Sequence, residues 1–287
     1  MLKSQMTICL CSSFFLLPSP FDKGKFVLPP PKSLAEGKAL ISLSMVPKAP
    51  LNMQGMQFVR SYITKSRENL VIIKHRSTVP FNIIDSVFRH YGLPVELKYL
   101  AVIESELKPS AESHVGALGP WQLMPETAHI LGLKTNPRCD ERKSYYKSTK
   151  AAARYLKDLY AQFGDWLLVI AAYNGGPKPL YAAIVKSGSR NFWILQRYLP
   201  AETRQHVKKF IATQYYFEGQ GSVTTLTKAE SIQYAKKINA FPIAKKTVTK
   251  EASRKGKESA DEKFQRLMEE SEEVLQKSNQ LLEESNQ

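Results

Sequence analysis

The stretch Pro94-Val95-Glu96-Leu97-Lys98-Tyr99-Leu100-Ala101-Val102-Ile103-Glu104-Ser105 decides how the chain is read. Proline suits the first turn of a helix, where its missing N–H has no intrahelical partner to lose. With Pro94 as the first helical residue, Leu97, Leu100, Ala101 and Glu104 recur at i, i+3, i+4 and i+7, one face of a helix. Tyr99 to Ile103 is apolar almost all round, so the helix is expected to be buried and to stop before Pro109. Glu104 then lies on the apolar stripe, whereas Glu106, about 200° further round, suits solvent. A buried carboxylate is costly unless paired or protonated, and burial raises its pKa. A glutamic acid still protonated near neutral pH is what a general acid needs. A structural ion pair would satisfy the same position, and the helix alone leaves both readings open.

Small residues follow the helix: Ser113, Gly116, Ala117 and Gly119 mark a loop whose backbone can approach a ligand closely. Pro120-Trp121-Gln122-Leu123-Met124-Pro125 then offers an apolar plate and a two-sided amide, both of which a sugar uses. A loop that simply packs its tryptophan would look the same. A helix is expected from near Thr149 to Phe163, with Ala152, Tyr155, Leu156, Leu159 and Tyr160 inward and Gly164 ending it. Asp165 caps the next helix, from Trp166 to Tyr173, which stops at Asn174-Gly175-Gly176. Tyr173 and Asn174 thus stand at a helix end with their polar tips projecting. A last helix, about Ala201 to Glu218, buries Val207, Phe210, Ile211, Gln214 and Tyr215. No run of alternating strands and no internal repeat is present, so the fold class is all-α.

Taken in order, Glu104-Ser105, Gly119-Pro120-Trp121-Gln122-Leu123-Met124-Pro125, Ala171-Ala172-Tyr173-Asn174-Gly175-Gly176 and Pro200-Ala201-Glu202-Thr203-Arg204 resemble the lytic transglycosylases of the goose-type lysozyme superfamily, glycoside hydrolase family 23. The combination looks most like their membrane-bound lytic murein transglycosylase D branch. The resemblance covers about residues 80–218, and its strength lies in four motifs in the right order and spacing. It implies a lysozyme-like helical domain with a groove for peptidoglycan glycan strands, acting without metal or cofactor. It implies that Glu104 is the catalytic acid. Ser105, which follows it in the signature, would be a substrate-binding residue of the groove, and Ser113, Gln122 and Met124 would line the groove near the N-acetyl groups. Tyr173 and Asn174 would face the carboxyl, and Glu202 would be a second carboxylate in the groove. Two departures stand out: His206 occupies a position where the family commonly has Tyr, and the wall-binding repeats frequent in this branch are not found in residues 221–287.

The chain has 287 residues, with 41 Lys and Arg against 26 Asp and Glu, for a formal net charge of +15. Its 43% hydrophobic content excludes a wholly disordered chain. Acidic residues outnumber basic ones in residues 251–287, so the positive excess belongs to the rest of the chain. That excess fits an anionic wall polymer, an anionic membrane surface or nucleic acid. Nucleic acid is disfavoured, because no recognition motif accompanies the charge. Lys3 followed by the 12-residue apolar core Met6 to Leu17 suggests an export signal over residues 1–20, too short to span a bilayer. The chain is therefore expected to be exported to the periplasm or cell envelope. Cys9 and Cys11 follow Ile8 and Leu10, not the small residues that lipid attachment usually needs. Loss of that segment would leave Cys139 alone, excluding an intrachain disulfide and a cysteine-based metal site.

Residues 18–50 hold 7 of the 17 prolines, which suits a disordered linker over 21–50. A helical extension over 51–79, a catalytic domain over 80–220 and a charged, largely helical tail over 221–287 complete the expected organisation. In the tail Leu267, Val274 and Leu281, and Met268, Leu275 and Leu282, repeat every seven residues. Two other functions fit the same residues: a muramidase in which water replaces an internal nucleophile, and a non-catalytic glycan-binding scaffold.

Overall fold

In the computed structural model, which describes residues 49–136, 138–240 and 266, the 94–105 stretch is helical and buried, but in two pieces. Val95–Lys98 forms a 3-10 turn with Pro94 just outside it as N-cap, and an α-helix follows over Tyr99–Ser105. It ends well before Pro109 because Glu106 and Leu107 both turn left-handed, at φ 55° and 61°. That conformation is unfavourable for residues with a Cβ. Here it is offset by the Glu106 carboxylate, which accepts from Asn69 at 2.8 Å and pairs with Arg76 at 3.3 Å and Lys108 at 2.8 Å. Glu106 is thus a surface anchor for the chain reversal rather than a freely solvated side chain.

The helices are α1 (Met53–Arg76), α2 (Thr78–Tyr91), α3 (Tyr99–Ser105), α4 (Pro125–Ile130), α5 (Tyr145–Phe163), α6 (Trp166–Gly175), α7 (Pro177–Ser187), α8 (Phe192–Leu195), α9 (Ala201–Glu218) and α10 (Lys228–Ala240). The two-residue strands β1 (Thr135–Asn136) and β2 (Cys139–Asp140) pair antiparallel, a hairpin too short to leave an alternating pattern in the sequence. The all-α expectation holds for the described residues apart from this hairpin and isolated bridges.

Helix α6 is central. Trp166 to Ala172 are all buried, as an all-apolar helix must be in water. Helices α5, α7 and α9 pack on it, α9 also packs on α1 and α3, and α2 packs on α5. Leu97, Leu100 and Ala101, the predicted inner stripe, are fully buried. Ser144 caps α5 through Lys147 N at 3.1 Å, so that helix starts one turn earlier than expected. Within it Tyr160 is exposed, not inward, and stacks on Trp166 with centroids 4.2 Å apart.

The folded body does not stop near residue 220. Thr224, Thr225 and Leu226 are buried, and the backbone N–H of Lys228 donates to Asp165 at 2.6 Å. It also begins before residue 80, since α1 lies along α9 and α2 runs across that boundary. The expected signal segment, nearly all of the proline-rich linker and the heptad leucines lie outside the described residues. Among the described residues no helix is long and apolar enough to cross a membrane, and Cys139 is exposed.

Asp165 holds two elements at once. One carboxylate oxygen accepts from Leu167 N at 2.9 Å and Leu168 N at 3.3 Å, while the other accepts from Lys228 N. Replacing Asp165 by Ala removes the cap and strands buried N–H groups, so stability should fall by about 2–3 kcal/mol. Denaturant unfolding of the Asp165→Ala variant checks this; an unchanged midpoint would show that the cap and the tie to α10 contribute nothing.

Candidate active site

Glu104 emerges from the last turn of α3 with its side chain 15% exposed. The backbone that places it is held by the loop facing it. The hydroxyl of Ser105 lies 3.0 Å from the carbonyl of Ala101 and 2.9 Å from that of Pro120, sharing its proton between helix and loop. Ser105 is buried and turned into this junction; as a groove-lining residue it is misplaced, and its contribution here is to tie α3 to the loop.

The loop is rigid for identifiable reasons. Arg142 donates to the carbonyls of Gly116 at 2.7 Å and Leu123 at 3.0 Å, while Asp140 holds its guanidinium from the other side at 2.7–3.2 Å. Leu118 and Leu123 exchange backbone hydrogen bonds at 3.2 Å. Gly119, at φ 83°, passes so close that a Cβ would lie 2.0 Å from the Arg142 carbonyl oxygen. Trp121 is fully buried, donates from Nε1 to Thr149 at 2.9 Å and lies against Phe88. Its apolar plate serves the core, not a sugar. Gln122, left-handed at φ 46°, spends its amide N–H groups on the carbonyls of Ala111 at 2.9 Å and Gly119 at 3.0 Å, and is half-buried. Ser113 accepts from Ala117 N at 2.9 Å, and Met124 is half-buried at the start of α4.

Tyr173 and Asn174 lie in the last turns of α6, both half-buried. The Tyr173 hydroxyl donates to the Trp121 carbonyl at 2.7 Å, closing α6 onto the loop. Burial and the neighbouring Glu104 charge hold the Tyr173 phenol well above its ordinary pKa, so it remains a donor. Gly175 has a packing reason beyond ending a helix. A Cβ there would come within 2.7 Å of Thr203 Oγ1, so glycine lets the end of α6 meet the start of α9.

Helix α9 brings Glu202, His206 and Lys209 towards Glu104. Burial, with the Glu202 charge adding to it and Lys209 opposing it, pushes the Glu104 carboxyl up to about 8. Burial also raises Glu202, against the pull of Lys209. His206 Nε2 lies 3.3 Å from Glu104 Oε1. Burial, reinforced by Lys209, lowers His206 to about 3. Between those values both partners are neutral, so the contact is not an ion pair despite its length. Lys209 escaped the sequence reading; its signal was the spacing of seven from Glu202, which places both on one helical face. A separate cleft of about 550 Å³ is lined by Gln54, Trp193, Ile194, Gln196, Arg197, Arg204 and Lys208. It includes none of the candidate residues.

Residues 83–196 match the Transglycosylase SLT domain family. The matched span holds Glu104, the Ser113–Met124 loop, Tyr173 and Asn174, while Glu202 and His206 lie just beyond it. Over 126 residues the chain is 40% identical to membrane-bound lytic murein transglycosylase D of Escherichia coli (strain K12), covering 42% of this chain and 27% of that protein. It is 35% identical over 118 residues to a protein named for tributyltin chloride resistance in Alteromonas sp. (strain M-1), covering 41% of this chain and 57% of that one. Among solved structures, the 70 kDa soluble lytic transglycosylase of Escherichia coli aligns at 27% identity and a TM-score of 0.44, covering 50% of this chain and 26% of that one. The chain thus spans about a quarter of its first curated relative and just over half of the other.

The protonation states of Glu104 and His206 set the sign of a pH effect. With Glu104 raised to about 8 from 4.5, the native state between those values holds a proton the unfolded chain has lost. Its contribution to stability is fully present below the lower value and is lost as pH rises through the upper one. His206, lowered to about 3 from 6.5, acts oppositely: its contribution is present above 6.5 and lost as pH falls through 3. A Glu104→Gln variant keeps the second effect and removes the first. Its thermal midpoint should therefore gain on the wild type as pH rises from 5 to about 8, by on the order of several degrees. A pH-independent difference would mean that Glu104 titrates normally.

Proposed function

We propose that this chain is a lytic transglycosylase that cleaves the β-1,4 bond between N-acetylmuramic acid and N-acetylglucosamine in peptidoglycan. The observation that carries the reading is Glu104, a mostly buried carboxyl held neutral near pH 7 with its exposed edge at the site. It gives its proton to the glycosidic oxygen as the C1–O bond breaks and an oxocarbenium-like centre forms at C1. Many glycosidases then use a second carboxylate as base or nucleophile. Here Glu104, now ionised, takes the proton of the muramic C6 hydroxyl, whose oxygen attacks C1 and closes a 1,6-anhydro ring. The two proton transfers cancel and no water is consumed. An internal nucleophile also gains from proximity.

The remaining residues take supporting roles. Glu202 keeps the Glu104 proton in place through like-charge repulsion. Tyr173 and Asn174 bound the site opposite it, and Ser113, Gln122 and Met124 form the loop wall that meets the N-acetyl groups. The neutral Glu104 supports an enzyme over a binding scaffold, because a scaffold gains nothing from a protonated acid at its surface. The basic excess of the chain suits peptidoglycan, whose stems bear free carboxylates, and an envelope surface. An exported protein of the periplasm or cell envelope fits this reading.

Digestion of purified peptidoglycan tests it. The wild type should release 1,6-anhydromuramic products with no mass gained per cut, and Glu104→Gln should lose at least about a hundredfold in rate. Products that each carry an added water would make the enzyme a muramidase, and an undiminished Glu104→Gln variant would remove the catalytic role altogether.

A further inference from the structure

Among the described residues, three buried side-chain nitrogen or oxygen atoms make no hydrogen bond: Arg76 Nε, Thr213 Oγ1 and His206 Nε2. A buried polar atom left unpaired costs about 1–3 kcal/mol, so each such atom calls for a physical reason. Only the last lies against a candidate residue, 3.3 Å from Glu104 Oε1. His206 is also where the sequence leaves the family pattern, with an imidazole in place of a phenol.

We propose that His206 is a positioning residue for the general acid: its Nε2–H donates to Oε1 of Glu104, which leaves the acid proton on Oε2. The inference rests on Glu104 being that acid. A carboxyl proton can sit on either oxygen, and only the one facing substrate is useful. A fixed donor at one oxygen selects the other. The same N–H then holds the carboxylate left after proton transfer. At 3.3 Å the contact is longer than an ordinary N–H···O bond of about 2.9 Å, and its N–H is not aligned well enough on Oε1 to make one in this unliganded site. Such contacts at unliganded sites commonly tighten when substrate is bound.

The surrounding charges fit a donor, not a proton carrier. Glu104 faces His206 from α3; Glu202 and Lys209 flank it on α9; Tyr173, on α6, responds to the same Glu104 charge. Lys209 and burial together keep the imidazole uncharged over the working range, so it does not compete with the sugar for the Glu104 proton. Phenol and neutral imidazole share one property that matters here, a single donor on a flat ring.

The test compares His206→Met with His206→Gln, side chains of similar length that differ in an N–H donor, beside the wild type and Glu104→Gln. Turnover of purified peptidoglycan is followed from neutral to alkaline pH, with melting curves on every variant. Removing a donor to a carboxylate raises its pKa. His206→Met should lower kcat about 10- to 100-fold with KM nearly unchanged, and should move the alkaline limb of the rate profile to higher pH. His206→Gln should recover most of both effects at the same melting temperature. Equal behaviour of Met and Gln, or a Met variant with the wild-type limb, overturns the inference. An active Glu104→Gln variant would instead defeat the general-acid reading on which it rests.

Discussion

Everything at this site follows from one carboxyl group placed where a helix turns its apolar face to the core. The inner stripe of α3 excludes water from most of Glu104, and the ionised form loses its solvation there. Two responses are open to a buried acid: a cation to pair with, or retention of its proton. The structure supplies a second carboxylate, a neutral histidine and a lysine whose effect is smaller than that of burial. The balance favours the proton. A carboxyl that is neutral near pH 7 is thus a consequence of packing, without any special reagent.

Packing of that kind has to be held in place. The turn after α3 runs through two left-handed non-glycine residues, and the facing loop through a third at Gln122. Such strain persists only where the surroundings over-determine it. Here Trp121, Ser105 and the Tyr173 hydroxyl fasten the loop to α5, α3 and α6, and Arg142 fastens it to the turn that precedes α5. Much of the polar chemistry that the sequence advertises is consumed in this bracing. The loop then presents backbone and half-buried side chains at fixed positions, which the proposed recognition of a stiff glycan would require.

The helical period of residues 97–104 already showed that Glu104 would be buried, and the Asp165 cap with the Gly175-Gly176 stop already bounded α6. The length of α9 was legible to the residue. What escaped was chemistry that depends on long-range contacts. Ser105 and Trp121 carry groove-like side chains, but their partners, the Pro120 carbonyl and the Thr149 hydroxyl, are set by tertiary packing. Gly175 looked like a helix stop because Thr203, the side chain it makes room for, lies on another helix. The fold past residue 220 was hidden because most of its buried residues are threonines: Thr224, Thr225 and Thr227 are buried beside Leu226, and the Thr224 hydroxyl donates to Gln214 on α9.

The central claim is that Glu104 is a neutral acid at physiological pH because of its burial. The most direct measurement is a pH titration of its side-chain carboxyl carbon by 13C NMR, assigned by the resonance missing from Glu104→Gln. A midpoint near 8 is expected. A midpoint near the 4.5 of an ordinary glutamate would contradict the account.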